Sequence, residues 1–512
     1  MADLARSIVH TGVLSLSFLL ILVATRLIYN IFFHPLRSFP GPLLARSTVL
    51  IKHRALLSGK VHIWQQELHA KYGPVVRYAP DEISFIDGTV WKEAYGYGAH
   101  NFPKDPRFYG LDAAEGNSPG LISSNNESHA RQRKIVAHAF SDKALKEQES
   151  LLKSYAELLL KQLRKTIGRD GSSKVDLTQW YNFTTFDIMG DLTFGEPLHL
   201  LEDTTYTPWV SSIFGNTYLA VVALVLRAWG LEKYINRILP ASIKEKRKVH
   251  QQHSITRVEK RLAKKTDRPD IWTYVLRNSG KANNEGLVLT KAEMHNNAGL
   301  FMFAGTETTA TELSGMTYYL LKNPQRMARL TKEIRDAFTA YEDVTINKLS
   351  ELKYLDACIH EGLRVYPPVA YGLPRAAPPG GANVNGQWVT GGTSVQFAQY
   401  AAYHSPANFK DPDDFVPERW LPEGQEEYGS DHKEAFQPFS FGPRNCLGKN
   451  LAYHEMRLVL ASVLWAYDIE LCEESQKWVA DQECLVLWHK GPLMCKLRPV
   501  RDLLRRESWK LE

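Results

Sequence analysis

The first 33 residues are much more apolar than the rest of the chain. Residues 8–24 contain no Asp, Glu, Lys or Arg, and after Arg26 the chain stays mostly apolar to Phe33. A helix of ~20 such residues is long enough to span the hydrocarbon core of a bilayer. A cleaved signal peptide is the alternative, but no small-residue cleavage site followed by polar sequence ends this run. The pattern predicts an uncleaved membrane anchor at residues 1–33.

Lysine and arginine are distributed unequally around this anchor. Arg6 precedes the apolar run and is offset by Asp3, whereas five basic residues follow: Arg26, Arg37, Arg46, Lys52 and Arg54. The basic flank of a membrane helix tends to remain in the cytosol. We therefore expect a single-pass protein whose remaining residues face the cytosol.

Two spacing patterns divide the chain beyond the anchor. Phe39-Pro40-Gly41-Pro42 cannot continue a helix, so residues 34–45 are predicted to form a Pro/Gly hinge. From about 125 to 366, apolar residues recur every three or four positions, as in 151–163 and 326–338, which predicts helices. After residue 367, glycines punctuate short apolar runs at 388–389, 394–397, 484–488 and 493–497. We expect a mainly α protein with small β-sheets, forming one domain over residues 46–512.

A second apolar run covers residues 214–226. It is too short to span a bilayer and contains Asn216 and Thr217. Two interpretations remain open: a buried helix, or a surface helix that dips into the membrane beside an entrance to the interior.

Composition and charge exclude some classes of protein. The chain has 512 residues, 44% hydrophobic and 23% charged, which is ordinary for a globular protein. Its net charge of +6 is too small for its length to indicate a nucleic-acid binder. The five cysteines are odd in number and widely spaced, which argues against a disulfide framework.

The stretch FSFGPRNCLG, from Phe439 to Gly448, carries the most chemical information. Gly442 and Gly448 let backbone approach a flat ligand on either side of Cys446. Arg444 is a cation two residues from the thiol, and a helical pattern begins after Cys446; both favour a thiolate. An inert buried thiol is the alternative. A single thiolate ligand on iron is a haem arrangement that favours O–O cleavage.

This loop resembles the haem-binding signature of the cytochrome P450 family, Phe-x-x-Gly-x-Arg-x-Cys-x-Gly, and matches every fixed position. The resemblance implies the cytochrome P450 fold with an N-terminal transmembrane helix. It also implies haem b as cofactor, with Cys446 as the axial ligand of the haem iron. The matching motifs follow the family order from the anchor to about residue 460.

A second pair of motifs carries a structural role. Glu361 and Arg364 share a helix face, and Pro417-Glu418-Arg419-Trp420 lies between them and the cysteine loop. Alone, the pair could be a surface contact worth less than ~1 kcal/mol. The resemblance implies that Glu361 holds both arginines by bidentate bonds in a buried network that braces the loop. Trp420 stands where the family usually has Phe.

Four basic residues are candidates for binding the two haem propionates. His129 and Arg133 lie four apart and share a helix face. The alternative is an exposed basic helix. The resemblance implies that Arg133, Arg375 and Arg444 meet the propionates. His129 replaces a frequent Trp but can still donate a hydrogen bond.

A long apolar pattern at 294–321 is interrupted by AGTETT at residues 304–309. Glycine weakens a helix, and threonine hydroxyls can bond back to its carbonyls and distort it. A bent core helix is the alternative. The resemblance implies that Thr308 donates protons for dioxygen reduction and that Glu307 resupplies Thr308 through water.

The resemblance implies a monooxygenase that inserts one oxygen atom of O2 into a lipophilic small molecule by hydroxylation or epoxidation. No Gly-x-Gly-x-x-Gly fingerprint of a nicotinamide-binding module is present in the chain. NADPH-derived electrons would therefore come from a separate NADPH-cytochrome P450 reductase, with cytochrome b5 as an optional second donor. Likeness to fungal microsomal members implies secondary-metabolite biosynthesis at the endoplasmic reticulum membrane. A reductase-independent haem-thiolate isomerase or peroxygenase is one alternative, although such relatives often lack the Glu–Thr pair. A non-catalytic haem or ligand carrier is another.

Candidate pocket residues are Leu300, Phe301 and Ala304, with the segment 369–373; Trp488 and the loop at 108–111 are further candidates. Because ligand pockets are mostly apolar whatever they bind, these residues predict only a lipophilic ligand.

Overall fold

Helices dominate the structure, with small sheets at its edges, as the sequence predicts. The computed structural model describes residues 2–110, 119–207, 209–211, 217–231, 234, 241–264, 266, 268–278 and 288–500. The α-helices are numbered in chain order within these ranges. They are α1 (Ala2–Phe32), α2 (Leu43–Ser47), α3 (Leu50–Leu57), α4 (Val61–Tyr72), α5 (Thr89–Tyr95), α6 (Pro106–Tyr109), α7 (Asn126–Val136), α8 (Asp142–Glu147), α9 (Glu149–Lys165), α10 (Leu177–Phe194), α11 (Leu200–Asp203), α12 (Thr217–Ala228), α13 (Ala241–Ala263), α14 (Ile271–Asn278), α15 (Lys291–Lys322), α16 (Pro324–Ala337), α17 (Ile346–Leu349), α18 (Lys353–Val365), α19 (Gln399–Tyr403), α20 (Gln425–Tyr428) and α21 (Lys449–Ala466).

The strands lie where glycine-punctuated apolar runs predict them and at a few further positions. They are β1 (Val75–Ala79), β2 (Glu82–Phe85), β3 (Ser173–Asp176), β4 (Arg375–Ala376), β5 (Ala382–Val384), β6 (Gln387–Val389), β7 (Ser394–Phe397), β8 (Tyr467–Leu471), β9 (Glu483–Leu485), β10 (Leu487–His489) and β11 (Met494–Pro499). The largest sheet has the order β1-β2-β7-β4, with β2 and β7 parallel. β3, β11 and β8 form a second sheet, and β9–β10 and β5–β6 are antiparallel hairpins.

Helix α1 has the length and composition of a membrane span. Within Asp3–Phe32 the most apolar 18-residue window has a mean hydropathy of 2.1, and none of that window is buried by the protein. Leu14 and Phe18 are 67% and 64% exposed. A contiguous apolar surface of this size marks a site that lipid or protein covers. A helix also satisfies its own backbone hydrogen bonds, as a segment in lipid must.

The segment after α1 is held against the first sheet. Leu36 and Phe39 are buried, and the Arg77 N–H donates to the Pro40 carbonyl at 2.7 Å. A Cβ on Gly41 would lie 2.2 Å from the Arg77 carbonyl oxygen, so only glycine permits this approach. The segment predicted as a hinge is therefore fixed in this conformation, and α2 begins within it at Leu43.

Helix α15 is the central helix of the domain. A capping box starts it, in which Thr290 accepts from the Glu293 N–H and Glu293 accepts from the Thr290 N–H. The Thr306 and Thr308 hydroxyls do donate back, to the carbonyls of Met302 and Ala304 at 2.6 and 2.7 Å. The helix nevertheless remains α-helical throughout, so the expected distortion does not interrupt it.

The second apolar run forms α12 from residue 217 onward, whereas residues 214–216 lie outside the described part. Val221 and Ala223 are buried, but Tyr218 is 50% exposed. The helix thus has one packed face and one exposed face, and neither interpretation of the run describes it completely. Contact of the exposed face with a membrane stays a prediction.

Candidate active site

A cavity of about 1500 Å³, including its open mouth, lies between α15, α7 and the loop before α21. It brings together residues that are far apart in the sequence. Seven of the predicted site residues line it: His129, Arg133, Thr308, Phe439, Arg444, Cys446 and Gly448. Three others lie outside its lining, namely Glu307, Arg375 and Gly442. The predicted pocket residues Leu300, Phe301, Ala304, Val369 and Leu373 also line it.

Two further predicted pocket positions face elsewhere. The Trp488 indole donates to the Pro367 carbonyl at 2.8 Å and its ring stacks on Tyr366. Phe108 stacks on Tyr371. Both rings pack among neighbouring side chains rather than on the cavity wall, and Leu111 lies outside the described residues.

The backbone around Cys446 turns the sulfur into the cavity. The Cys446 N–H donates to the Phe439 carbonyl at 2.8 Å, and α21 begins three residues later. Cys446 is exposed and lines the cavity. The predicted position of the sulfur near a helix N-terminus is therefore present.

The two glycines of this loop have different roles. Gly442 has φ +70°, and a Cβ there would lie 2.0 Å from the Tyr95 carbonyl oxygen, so glycine is needed for packing against protein. A Cβ on Gly448 would have no atom within 4 Å. Gly448 thus leaves open space on the cavity side, as a flat ligand requires. The expectation that both glycines make room for the ligand was wrong for Gly442.

The cation beside the sulfur is Arg133, not Arg444 as expected. Burial raises the pKa of the Cys446 thiol, while the Gly448 N–H, Arg133 and Lys449 act in the opposite direction. Arg133 reaches this position because its guanidinium donates to the Asn445 carbonyl at 2.6 Å. Arg444 is turned away and donates to the Ser124 carbonyl and the Asn126 side chain, both at 2.8 Å.

Five basic side chains approach one another. Four of them line the cavity, and Arg375 lies next to these four: Lys104, His129, Arg133 and Arg444. Burial, and then Arg444, Lys104, Arg133 and Arg375, lower the pKa of His129 to about 3. Burial and Arg375 lower the pKa of Arg444 to about 10. Among the described residues, Arg375 Nε and Arg444 Nη1 are buried without a hydrogen-bond partner. Buried cations are costly unless they are paired, so this cluster fits a ligand carrying carboxylates, as haem does.

Lys104 belongs to this cluster and was missed from the sequence. Burial, with Arg444 and Arg375, lowers the pKa of its ammonium well below the usual range. An isolated β-bridge to Arg375 brings Lys104 to the cavity, although 271 positions separate the two residues in the sequence. No local motif surrounds Lys104, so only the chain path could reveal it.

The predicted acid and alcohol on α15 face different surroundings. Thr308 lines the cavity, whereas Glu307 forms an ion pair with Lys490, and the two side chains are 7% and 3% exposed. Consecutive residues of an α-helix point ~100° apart, which separates the two groups. Glu307 therefore does not line the cavity beside Thr308, and its predicted resupply of Thr308 through water stays a prediction.

Two other carboxyl groups line the cavity and were not predicted. Burial raises the pKa of Glu455 to about 8, against a hydrogen bond from the Thr309 side chain that lowers it. Burial also raises the pKa of Glu312 well above the usual range, and within the described structure both its carboxyl oxygens lack a partner. Both groups are therefore expected to be neutral at neutral pH.

Glu361 lies at the centre of a fully buried network, as predicted. Arg364 donates to both of its oxygens, at 3.0 and 2.7 Å, and Arg419 donates at 3.0 Å. All three side chains are 0% exposed. Arg419 makes a single bond to Glu361 rather than the expected bidentate one, because its other end donates to Asp431 at 2.6 Å.

The Trp420 indole fills the remaining position on Glu361, donating at 2.9 Å. A Phe in its place could not donate, so this departure adds a hydrogen bond. The Trp420 ring packs on Phe436 at 4.7 Å, and the next N–H, of Gln437, donates to the Tyr403 hydroxyl at 3.0 Å. The network is thereby connected to the segment that leads into the cysteine loop.

Comparison with known proteins agrees with this geometry. The family model described as Cytochrome P450 matches residues 40–497. The chain is 45% identical over 482 residues to cytochrome P450 monooxygenase efuB of Hormonema carpetanum, covering 93% of this chain and 94% of that protein. It is 46% identical over 475 residues to cytochrome P450 monooxygenase FUM2 of Gibberella moniliformis, covering 92% and 100%. It is 41% identical over 478 residues to cytochrome P450 monooxygenase atr2 of Stereocaulon alpinum, covering 92% of each.

Proposed function

The chain belongs to the cytochrome P450 family, and on this premise we propose how its residues hold haem, move protons and meet a substrate. It is a monooxygenase that contains haem, uses O2 and inserts one oxygen atom into a lipophilic small molecule. One observation carries the proposal for the site. Cys446 and Arg444 line one cavity, and among the described residues Arg444 Nη1 and the Nε of neighbouring Arg375 are buried without a hydrogen-bond partner.

Haem b, when bound, supplies the reduction of O2 and the transfer of an oxygen atom. Cys446 would hold the haem iron through its sulfur, and Gly448 would leave space beside that sulfur. Arg133 stabilises negative charge on the sulfur as well as on a propionate. Lys104, His129, Arg375 and Arg444 complete the binding of the propionates, and His129 does so as a neutral donor because its pKa is low.

Thr308 and Glu307 supply protons to the oxygen-binding side of the cavity. Thr308 presents its hydroxyl there while donating to the Ala304 carbonyl. Glu307 is the acid from which Thr308 is resupplied. Its present ion pair with Lys490 means that the carboxylate must move, or a water chain must form, before it can act.

Electrons come from NADPH through a separate NADPH-cytochrome P450 reductase, with cytochrome b5 as an optional second donor. The protein resides in the endoplasmic reticulum membrane with its catalytic domain in the cytosol. Helix α1 and the basic residues after it support this location. Residues 1–33, 34–45 and 46–512 then correspond to anchor, connecting segment and catalytic domain.

The substrate is a lipophilic secondary metabolite. Much of the cavity wall is apolar, formed by residues such as Leu300, Phe301, Ala304, Val369 and Phe140. Such a wall binds by burial of apolar surface and leaves few polar groups to choose among ligands. The relatives named above are fungal monooxygenases, which supports a biosynthetic role of the same kind.

Spectral titration and turnover test this function together. The purified protein is titrated with a library of lipophilic metabolites, and each binder is incubated with reductase and NADPH under ¹⁸O2. A product that carries one ¹⁸O atom and requires reductase supports the proposal. Conversion with peroxide alone identifies a peroxygenase, conversion without added oxygen identifies an isomerase, and binding without conversion identifies a carrier.

A further inference from the structure

Lys490 is a buried lysine placed against the proton-supplying acid. Its side chain is 3% exposed, and it forms an ion pair with Glu307 Oε1. It also donates to the Thr311 hydroxyl at 2.7 Å. Glu307 and Thr311 lie one turn apart on α15, whereas Lys490 follows β10 and lies 183 positions from Glu307. Few lysines are buried this deeply unless they are paired with an acid.

The Glu307 carboxylate has few other partners. Its second oxygen, Oε2, is buried without a hydrogen-bond partner among the described residues. Glu307 also raises the pKa of Tyr206 and of Tyr366. The Tyr206 hydroxyl accepts from Asn182 at 3.0 Å, and the Tyr366 hydroxyl donates to Gln482. Lys490 therefore supplies the positive charge that offsets the burial of Glu307.

The position of Lys490 depends on the hairpin of β9 and β10. The Cys484 N–H of β9 donates to the Gly59 carbonyl at 2.7 Å, and Trp488 of β10 donates to the Pro367 carbonyl. Pro367 lies two residues before Val369, which lines the cavity. The hairpin that carries Lys490 is therefore attached to a segment of the cavity wall.

We propose that Lys490 is a positioning residue of the proton relay: it holds the Glu307 carboxylate in place beside Thr311, and from this position Glu307 resupplies Thr308 through water. This inference rests on the proposed function, in which Glu307 is the acid of the relay. Lys490 does not line the cavity, so it acts through Glu307 and Thr311.

Infrared spectroscopy tests the pair without turnover. In Lys490→Met the buried carboxylate loses its counter-charge and should take up a proton. The spectrum then gains the carbonyl stretch of a neutral carboxylic acid. The gain should disappear in Lys490→Met/Glu307→Gln, which separates it from Glu312 and Glu455. Lys490→Arg and the exposed control Lys477→Met should leave the spectrum unchanged.

Turnover tests the consequence for proton supply. Product formed per NADPH oxidised should fall ~10-fold or more in Lys490→Met, because a positioned proton donor contributes ~100- to 10,000-fold to a step. The solvent deuterium isotope effect on product formation should rise, which a purely structural role would not cause. Lys490→Arg should restore most of the coupling. If Lys490→Met does not fold, Lys490→Gln carries the same measurements.

An unchanged acid band together with unchanged coupling in Lys490→Met would overturn the inference. So would a loss of coupling that Lys477→Met reproduces. The infrared comparison does not depend on monooxygenase activity. It therefore decides the Lys490–Glu307 pair even if wild-type protein with bound haem gives no product and the proposed function fails.

Discussion

Cys446 and Thr308 are the two residues whose single atoms carry the proposed chemistry. Cys446 and Thr308 both line the cavity. Each has a chemical counterpart that does not line it, namely Cys472 for the thiol and Thr306 for the hydroxyl. These counterparts provide matched controls. Substitution at either residue therefore tests one role at a time.

Cys446→Ala should abolish the carbon-monoxide difference band typical of a haem-thiolate protein. The reason is that Cys446 is the cysteine that lines the cavity, while Cys358, Cys484 and Cys495 are buried elsewhere. Cys472→Ala is the control and should keep the band. A normal thiolate band in Cys446→Ala would contradict the assignment of the ligand.

Thr308→Ala should separate oxygen consumption from product formation. Removing the hydroxyl leaves haem and substrate binding intact, but protons arrive more slowly at the reacting oxygen. Positioned proton donors contribute ~100- to 10,000-fold to a step, so reduced oxygen should leave mainly as peroxide. Product and peroxide are measured per NADPH oxidised.

Thr306→Val is the matched control for this substitution. Its hydroxyl also donates to the carbonyl four residues earlier, but Thr306 is buried away from the cavity lining. It should remain coupled. Equal coupling in Thr308→Ala and wild type would make Thr308 a structural helix residue.

At the scale of elements, the buried network joins α18, the Pro-Glu-Arg turn and the approach to the cysteine loop. Its strength comes from complete pairing. Glu361 accepts from Arg364, Arg419, Trp420 and the Val416 N–H, so neither of its oxygens lacks a donor. Removing one partner leaves the others buried and unpaired.

Glu361→Ala should destabilise the fold by ~3–5 kcal/mol and leave little haem-loaded protein, because the buried Arg364 loses its anion and Arg419 keeps only Asp431. Arg419→Ala should act in the same way through Glu361 and Asp431. Haem content per protein and urea unfolding measure the effect. Lys410→Ala breaks an exposed ion pair with Glu427 and should change the free energy of unfolding by under ~1 kcal/mol. Near-normal haem content in Glu361→Ala would show that the network stabilises the fold no more than an ordinary surface contact does.

At the scale of the whole molecule, the segment predicted to anchor the protein in the membrane is separate from the domain that contains the cavity. Helix α1 contributes no buried residue to the catalytic domain within its most apolar window, whereas Leu36 and Phe39 just after it are packed in the core. A truncation that ends before these two residues should therefore preserve the fold.

Deleting residues 1–33 should reduce membrane association and keep the haem-thiolate spectrum. Membrane fractionation after a mild salt wash, followed by the carbon-monoxide spectrum of each fraction, measures both. Exposed Leu43, Leu44 and the exposed face of α12 should retain a weaker affinity for lipid. A truncated protein that stays fully bound would show that α1 is not the main anchor.

Local spacing was sufficient for much of this protein. The apolar run predicts α1, the three- and four-residue spacing predicts α9, α15 and α16, and the glycine-punctuated runs predict β6, β7 and the C-terminal strands. The family follows from the cysteine loop because the ligand and its glycines are adjacent in the chain. These features depend on neighbouring residues, so the sequence alone determines them.

Pairings across the chain required the tertiary structure. The cation beside the Cys446 sulfur is Arg133 rather than the adjacent Arg444, because the direction of α7 brings its guanidinium to Asn445. Lys104 joins the cluster of basic side chains through a bridge to Arg375, and Lys490 reaches Glu307 through a hairpin near the C-terminus. Each of these contacts depends on how elements far apart in sequence pack, and local spacing holds no information on that packing.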